Sequence, residues 1–262
     1  IASGGGTLGG TATVNSDANG LATFAGLSIT GTVGARTLSF SSTGLSAATS
    51  TSIAITAGAP TQMSVSAGNG QTATAGTAVA TPPAVLVRDA SNNPVSGVAV
   101  TFAVTGGGGA VLPAGAVSTD ASGVAAATSW TLGTAAGANS LTATAAPGGI
   151  SPNPVTFTAT AVAGSAGQLA MFAHPPATIA SGTTVTPAPV VQLQDALGND
   201  LTTSNFPVTV AIASGPGGVL SGGTIALTNA LGRATFTTLT ITGPTGLYTL
   251  QFTGTGVTGV TS

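Results

Sequence analysis

The sequence has 262 residues and almost no charge, with three arginines, five aspartates, and neither lysine nor glutamate. Charged residues make up 3% of the chain, whereas an average globular protein carries about 25%. Three arginines cannot supply the many phosphate contacts that nucleic-acid binding needs, so we expect no nucleic-acid partner. The absence of cysteine excludes disulfides and thiol chemistry.

The mean hydropathy is positive, but glycine, threonine, serine and proline interrupt every apolar run. A membrane-spanning helix of about 20 apolar residues is therefore not predicted. The first ten residues also lack the basic start and the apolar block of a signal peptide. The abundant residue types favour strands and turns over helices. We therefore predict an all-β protein.

In chain order, the first recognisable element is the turn Asp17–Gly20, followed by a strand through Phe24. The turn returns at Asp120–Gly123 and again at Asn229–Gly232. The period is about a hundred residues, the size of one β-sandwich domain. We predict that residues 1–57 are the C-terminal part of a first repeat and that residues 58–163 are a complete repeat. Residues 164–262 are predicted to be a third repeat without a clear last strand.

The middle repeat is organised around Val85–Val104, which reappears in the third repeat as Val191–Ile212. Each copy reads as a strand, a polar turn and a second strand, and apolar residues alternate with polar ones. The positions predicted to face the core are Val85, Val87, Val98, Val100, Phe102 and Val104, with their counterparts Val191, Leu193, Phe206, Val208, Val210 and Ile212. The positions predicted to face water are Leu86, Arg88, Gln192 and Gln194.

The middle repeat also carries a family resemblance. A strand ending in Val87-Arg-Asp89, the turn Ala-Ser-Asn-Asn-Pro, the strand Val98–Phe102 and the turn Thr119–Gly123 together resemble bacterial immunoglobulin-like repeats of the invasin and intimin type. The resemblance covers essentially the whole chain. It implies tandem immunoglobulin-like β-sandwiches on the outside of a bacterium, serving as a stalk, spacer or fibre. It brings no catalytic residue and no cofactor.

One cluster of oxygen ligands is a candidate metal site. Asp195, Asn199 and Asp200 lie close together in sequence and form a candidate calcium site. Asp and Asn also stabilise turns by hydrogen bonding to their own backbone, which is the alternative interpretation. The same turn interpretation applies to Asp17 and Asp120, because Asn229 replaces them in the third copy.

His174 and Trp130 are two further candidates for a chemical role. His174 is the single histidine, and because no partner groups surround it in the sequence we predict a surface loop and no enzyme activity. Trp130 could be a platform for sugar stacking, but it aligns with Leu27 and Leu239, so a core position is predicted.

The function predicted from the sequence is a structural repeat module of a bacterial extracellular fibre, stalk or giant adhesin. Its expected partners are further copies of the same repeat or chain. One alternative is a filament subunit that polymerises by donating a β-strand to its neighbour. The other is a module that binds carbohydrate or another surface through Trp130 or threonine-rich strands.

Overall fold

A computed structural model describes all residues 1–262. It contains β-strands and no helix, as predicted, and so no helix that could cross a membrane. The strands of residues 1–57 are β1 (Thr7–Gly9), β2 (Ser28–Thr30), β3 (Gly34–Arg36), β4 (Ser39–Phe40), β5 (Ala48–Thr49) and β6 (Ile53–Ile55). Those of residues 58–163 are β7 (Pro60–Ala67), β8 (Gln71–Thr74), β9 (Ala84–Asp89), β10 (Ala99–Gly106), β11 (Gly109–Leu112), β12 (Val117–Ser118), β13 (Val124–Ala126), β14 (Ser129–Leu132), β15 (Gly137–Ala146) and β16 (Val155–Val162). Those of residues 164–262 are β17 (Ala166–Ala173), β18 (Val190–Asp195), β19 (Pro207–Ser214), β20 (Val219–Ser221), β21 (Ile225–Leu227), β22 (Arg233–Thr235), β23 (Thr240–Thr242), β24 (Thr249–Gly254) and β25 (Val257–Thr261).

Residues 58–163, here called the middle repeat, form a β-sandwich. One sheet has the order β12-β10-β15-β16-β8, the other has the order β13-β9-β7, and β11 pairs with β14. A single cluster of 21 buried residues fills the space between the sheets. Phe102 and Phe157 meet in this core with their ring centroids 6.3 Å apart. Two antiparallel sheets packed over one core are the architecture of the immunoglobulin-like sandwich.

Residues 164–262, here called the third repeat, follow the same plan with a core of their own. Twelve buried residues form its cluster, and the Phe236 and Phe252 rings lie 5.2 Å apart. The strand order is β21-β19-β24-β25-β17-β18-β22, with β20 paired to β23. Because β25 bridges to β17 at one pair, Thr258 and Gln168, the two sheets join along one edge. Strand β8 of the middle repeat has no counterpart here.

The alternation predicted for the central strand pairs is confirmed, with one exception. All predicted core positions are buried or half-buried, and Val85, Val87, Val191 and Leu193 are fully buried. Gln192, predicted to face water, is 2% exposed. Its Nε2 donates to the Leu201 carbonyl and its Oε1 accepts from Arg233 Nε. The side chain is buried because these groups satisfy its amide, which periodicity alone does not reveal.

The end of the third repeat also differs from the prediction. The sequence shows no clear last strand there, yet β25 pairs antiparallel with β24. A bulge between Phe252 and Gly254 shifts the register, so Val257 and Val260, three positions apart, both pack against the core. The strand therefore lacks the two-residue alternation by which strands are recognised in sequence.

Residues 1–57, here called the first repeat, contain three two-stranded ladders, β1-β2, β3-β6 and β4-β5. Their buried side chains are Arg36 and Leu38, and the Phe24 and Phe40 rings pack against each other at a tilt of 50° with their centroids 5.1 Å apart. The β3-β6 ladder corresponds to the β15-β16 ladder of the middle repeat, since Gly34 pairs with Ile55 as Gly137 pairs with Ala161.

Candidate functional site: the joint between repeats

The same polar turn forms part of the contact between repeats at two places in the chain. At the first, Asp89 Oδ1 accepts hydrogen bonds from the backbone N–H groups of Ser91 and Asn93, each at 2.8 Å. At the second, Asp195 Oδ1 accepts from Leu197 at 2.9 Å and from Asn199 at 2.8 Å. The fourth turn residue has a positive φ in both copies, 63° at Asn92 and 86° at Gly198. Asparagine and glycine are the residues that tolerate this backbone geometry.

The second carboxylate oxygen of each aspartate holds the linker to the preceding repeat. Asp89 Oδ2 accepts from the backbone N–H of Gly58, and Asp195 Oδ2 accepts from that of Gly164, both at 2.8 Å. Both aspartates are buried, with 4% and 2% exposure. Each linker is therefore fixed by a charge-assisted hydrogen bond to the domain that follows it.

An asparagine at the end of each turn reaches across to the preceding repeat. Asn93 Oδ1 accepts from Val33 N–H at 2.9 Å, and Asn93 Nδ2 donates to the Gly31 carbonyl at 3.0 Å. Asn199 makes the same pair with Ala136 N–H at 2.7 Å and the Thr134 carbonyl at 2.9 Å. We call this two-point contact the asparagine clamp. Each Asn Nδ2 also donates to its own Asp Oδ2 at 2.9 Å.

The loop that receives the clamp is itself repeated. It reads ITGTVG at 29–34, LGTAAG at 132–137 and ITGPTG at 241–246. The last glycine of each copy has a positive φ, 135° at Gly34, 141° at Gly137 and 158° at Gly246. Sequence analysis missed this receiving loop, although its spacing of 103 and 109 residues matches that of the Asp-Ala-x-Gly turns.

Apolar contacts support the polar clamp at the second joint. The Leu197 side chain lies against Gly76 of the middle repeat, where an added Cβ would stand 3.3 Å from Leu197 Cδ1. Thr74 Cγ2 lies 3.4 Å from the corresponding Cβ position of Gly164. Neighbouring sandwiches thus touch through a turn, a linker and a loop.

The hydrogen bonds also set the acidity of the turn. Burial alone raises the pKa of Asp195, but bonds from the Asn199 side chain and from three backbone N–H groups outweigh it and lower the pKa from 3.8 to about 2. The same causes lower the pKa of Asp89, with Asn93 and Gly58 as the leading donors. Hydrogen bonds that favour the charged form act in this direction.

The third repeat should therefore lose stability in acid. Its acidic residues are Asp195 and Asp200. Because the folded-state pKa of Asp195 lies below the unfolded value, its contribution is complete above about pH 4 and is lost as the pH falls towards about 2. Thermal unfolding followed through Tyr248, the single tyrosine, should show a falling midpoint over this range. Asp195→Asn is the control and should flatten the dependence; an equally steep slope in that variant contradicts the assignment.

The candidate calcium residues take these roles in the turn. Asp195 and Asn199 lie together in the clamp, whereas Asp200 is exposed and its Oδ1 accepts from Gln194 Nε2 at 2.9 Å. The structure contains no group of three or more His, Cys, Asp or Glu side chains suited to a metal ion. Calcium binding at these residues stays a prediction.

The remaining sequence candidates lie apart from the joint. Trp130 is fully buried in the middle repeat, so its predicted core position is confirmed and it offers no face to a sugar. His174 is exposed just after β17. In the three Asp-Ala-x-Gly type turns, Oδ1 of Asp17, Asp120 and Asn229 accepts two backbone N–H groups of its own turn.

The strand pairing and the two separate cores define an all-β protein with immunoglobulin-like β-sandwiches at residues 58–163 and 164–262. A family model described as SMCHD1 Ig-like domain 6 matches residues 155–258. The match and the strand pairing agree with the immunoglobulin-like fold predicted from the sequence. No curated protein matches the chain significantly.

Among solved structures, the chain is similar to several adhesin domains. It shares 19% identity with the Escherichia coli adhesin FdeC, over 80% of this chain and 67% of that one, with a TM-score of 0.39. It shares 18% sequence identity with the D0-D1 domain of intimin, and this match covers 77% of this chain and 97% of that one with a TM-score of 0.31. It shares 21% sequence identity with the Yersinia pseudotuberculosis adhesin InvE, and this match covers 76% of this chain and 57% of that one with a TM-score of 0.32. Adhesins of the type that the sequence resembles are among these similar structures.

Proposed function

We propose that this chain is a structural module of a bacterial extracellular fibre, stalk or giant adhesin. Its sandwiches are held end to end, so that the array projects or tethers a partner at a distance from the cell surface. The proposal assigns no catalytic residue and no cofactor. Its expected partners are further copies of the repeat or of the chain.

The observation that carries this proposal is the repetition of the asparagine clamp. Neighbouring domains in one chain ordinarily move relative to each other unless their interface holds them. Here Asn93 and Asn199 make the same two bonds to a backbone N–H and a carbonyl of the preceding repeat. We expect the same contact to recur between successive repeats in a chain that functions by holding a fixed length. The motifs of the invasin and intimin type support the extracellular location.

The carbohydrate-binding alternative has less support. It was based on Trp130 or on threonine-rich strands, and Trp130 is enclosed in the core. The exposed aromatic side chain Phe172 is 54% exposed, but the Arg233 guanidinium covers its ring at 3.5 Å. No face of the described chain offers an uncovered tryptophan to a sugar ring.

Removing the second clamp should loosen the third repeat from the middle one. Asn199→Ala deletes both bonds across the joint, which together contribute about 1–3 kcal/mol to its closure. Because the chain has no cysteine, Thr101→Cys and Thr209→Cys provide unique sites for spin labels on exposed positions of β10 and β19. We expect a narrow distribution of label distances in the parent chain and a clearly broader one in Asn199→Ala.

The matched control is Asn19→Ala, an exposed asparagine in a turn of the first repeat. It should leave the distance distribution unchanged. If the parent chain and Asn199→Ala give distributions of equal width, the clamp does not fix the joint and the proposed mechanism fails.

A further inference from the structure

The residue two positions after the last glycine of each receiving loop forms hydrogen bonds back to that loop. It is Arg36 in the first repeat, Asn139 in the middle repeat and Tyr248 in the third. We call these three the support residues. Arg36 and Asn139 are buried, with 4% and 2% exposure, and Tyr248 is half-buried. Their side chains differ in size and chemistry, but all three bond to the main chain of the receiving loop.

In the middle repeat these bonds enclose the part of the loop that receives the clamp. Asn139 Oδ1 accepts from the Gly133 backbone N–H at 3.0 Å, and Asn139 Nδ2 donates to the Gly137 carbonyl at 3.2 Å. Between these two positions lie the carbonyl and the N–H group to which Asn199 bonds. Asn139 therefore holds both ends of the segment on which the clamp closes.

The support residues of the other two repeats bond within the same segment. Arg36 Nη2 donates to the carbonyl of Thr32, which lies between the two residues that bond to Asn93. In the third repeat, the Tyr248 hydroxyl lies 2.9 Å from the carbonyl of Pro244, the residue that corresponds to Thr32. The loop is thus supported at an equivalent place in each repeat, although the supporting group changes.

A glycine-rich loop packs against each support residue. In every repeat, one glycine of this loop lies so close that an added Cβ would stand 2.5 or 2.6 Å from a carbon of the support side chain. These pairs are Gly4 with Arg36, Gly107 with Asn139, and Gly215 with Tyr248. Carbon atoms in contact prefer a separation of about 3.5–4.0 Å. These positions therefore have no room for a side chain.

We infer that Arg36 and Asn139 are positioning residues of the two joints: each holds its receiving loop in the shape to which the asparagine clamp bonds, and the glycine-rich loop keeps the support residue in place. Tyr248 holds the corresponding loop of the third repeat in the same way. The inference rests on the proposed function, because it gives these residues a part in the same joint. It also gives the glycine runs a physical reason, the lack of space beside the support residue.

The test uses the spin-labelled chain with Thr101→Cys and Thr209→Cys, which reports on the second joint. Asn139→Ala removes both side-chain bonds to the receiving loop, so the label distances should spread clearly more widely than in the parent chain. In the double variant with Asn139→Ala and Asn199→Ala, the distribution should be no broader than in Asn199→Ala alone. Two substitutions that disrupt one contact do not add.

Thr119→Ala is the control that separates positioning from a general loss of stability. Thr119 is buried in the middle repeat, and its hydroxyl makes a matching pair of bonds, donating to the Val95 carbonyl at 2.7 Å and accepting from the Val98 N–H at 2.9 Å. None of these groups belongs to a receiving loop. Thr119→Ala should lower the denaturant midpoint followed through Trp130, the single tryptophan, as Asn139→Ala does. It should leave the label distances unchanged.

Gly107 and Gly108 provide a second matched pair. Both have a positive φ, 79° and 78°, so alanine strains the backbone equally at each position. A Cβ at Gly107 would collide with Asn139, whereas one at Gly108 would lie 3.8 Å from its nearest neighbour, which is an ordinary contact. Gly107→Ala should therefore broaden the distribution of label distances, and Gly108→Ala should not.

The outcomes distinguish this inference from the proposed function. If Asn199→Ala broadens the distribution but Asn139→Ala or Gly107→Ala does not, the clamp stands and the positioning role is wrong. The positioning role is also wrong if Thr119→Ala broadens the distribution as much as Asn139→Ala does, or if the double variant is broader than Asn199→Ala alone. If Asn199→Ala itself causes no broadening, the clamp fails and this inference fails with it.

Discussion

Asp195→Ala should destabilise the third repeat by about 3–5 kcal/mol, because the carboxylate is buried and its donors would be left without an acceptor. Four N–H groups lose their acceptor, those of the Gly164, Leu197 and Asn199 backbones and of the Asn199 side chain. The denaturant midpoint of unfolding followed through Tyr248 should fall. The midpoint followed through Trp130, which reports on the middle repeat, should change far less.

The chain contains its own matched control for this variant. Asp89 makes the same four bonds at the first joint. Asp89→Ala should therefore lower the unfolding midpoint followed through Trp130 and change the midpoint followed through Tyr248 far less. A loss below about 1 kcal/mol in Asp195→Ala would mean that the turn does not depend on its carboxylate.

Trp130→Ala should destabilise the middle repeat by about 3–5 kcal/mol, the usual cost of truncating a fully buried large aromatic side chain. Trp130 lies in the cluster of 21 buried residues and is 0% exposed. Far-UV circular dichroism should show the middle repeat unfolding at a lower denaturant concentration than in the parent chain. Tyr248 should report an unchanged third repeat.

Trp130→Phe is the control that separates packing from hydrogen bonding. The indole Nε1 is buried without a hydrogen-bond partner, so phenylalanine removes an unsatisfied donor while keeping an aromatic ring. It should cost clearly less than alanine. If alanine at position 130 costs no more than phenylalanine, the ring does not hold the core together.

The part of the site that could be predicted from sequence is the turn, because turn chemistry is local. Asp195 and Asn199 stand out through their spacing and their repetition at Asp89 and Asn93. The receiving carbonyl of Thr134 lies 65 residues away along the chain. Spacing within the turn therefore suggested oxygen ligands for a metal, and only the tertiary contact reveals that the amide reaches a neighbouring domain.

The sequence by itself determined the all-β class, the repeat and the inward face of the central strands. These follow from a two-residue alternation and from turn residues, both of which act over a few neighbouring positions. Trp130 could be placed in the core because its aligned positions carry leucine.

Only the tertiary structure decided the features that depend on distant partners. Gln192 is buried because Leu201 and Arg233 satisfy its amide. Strand β25 forms because a bulge resets its register against β24. The asparagine clamp likewise depends on which segments meet in space. Local periodicity fixes which face of a strand is apolar, whereas long-range pairing and packing decide what that face meets.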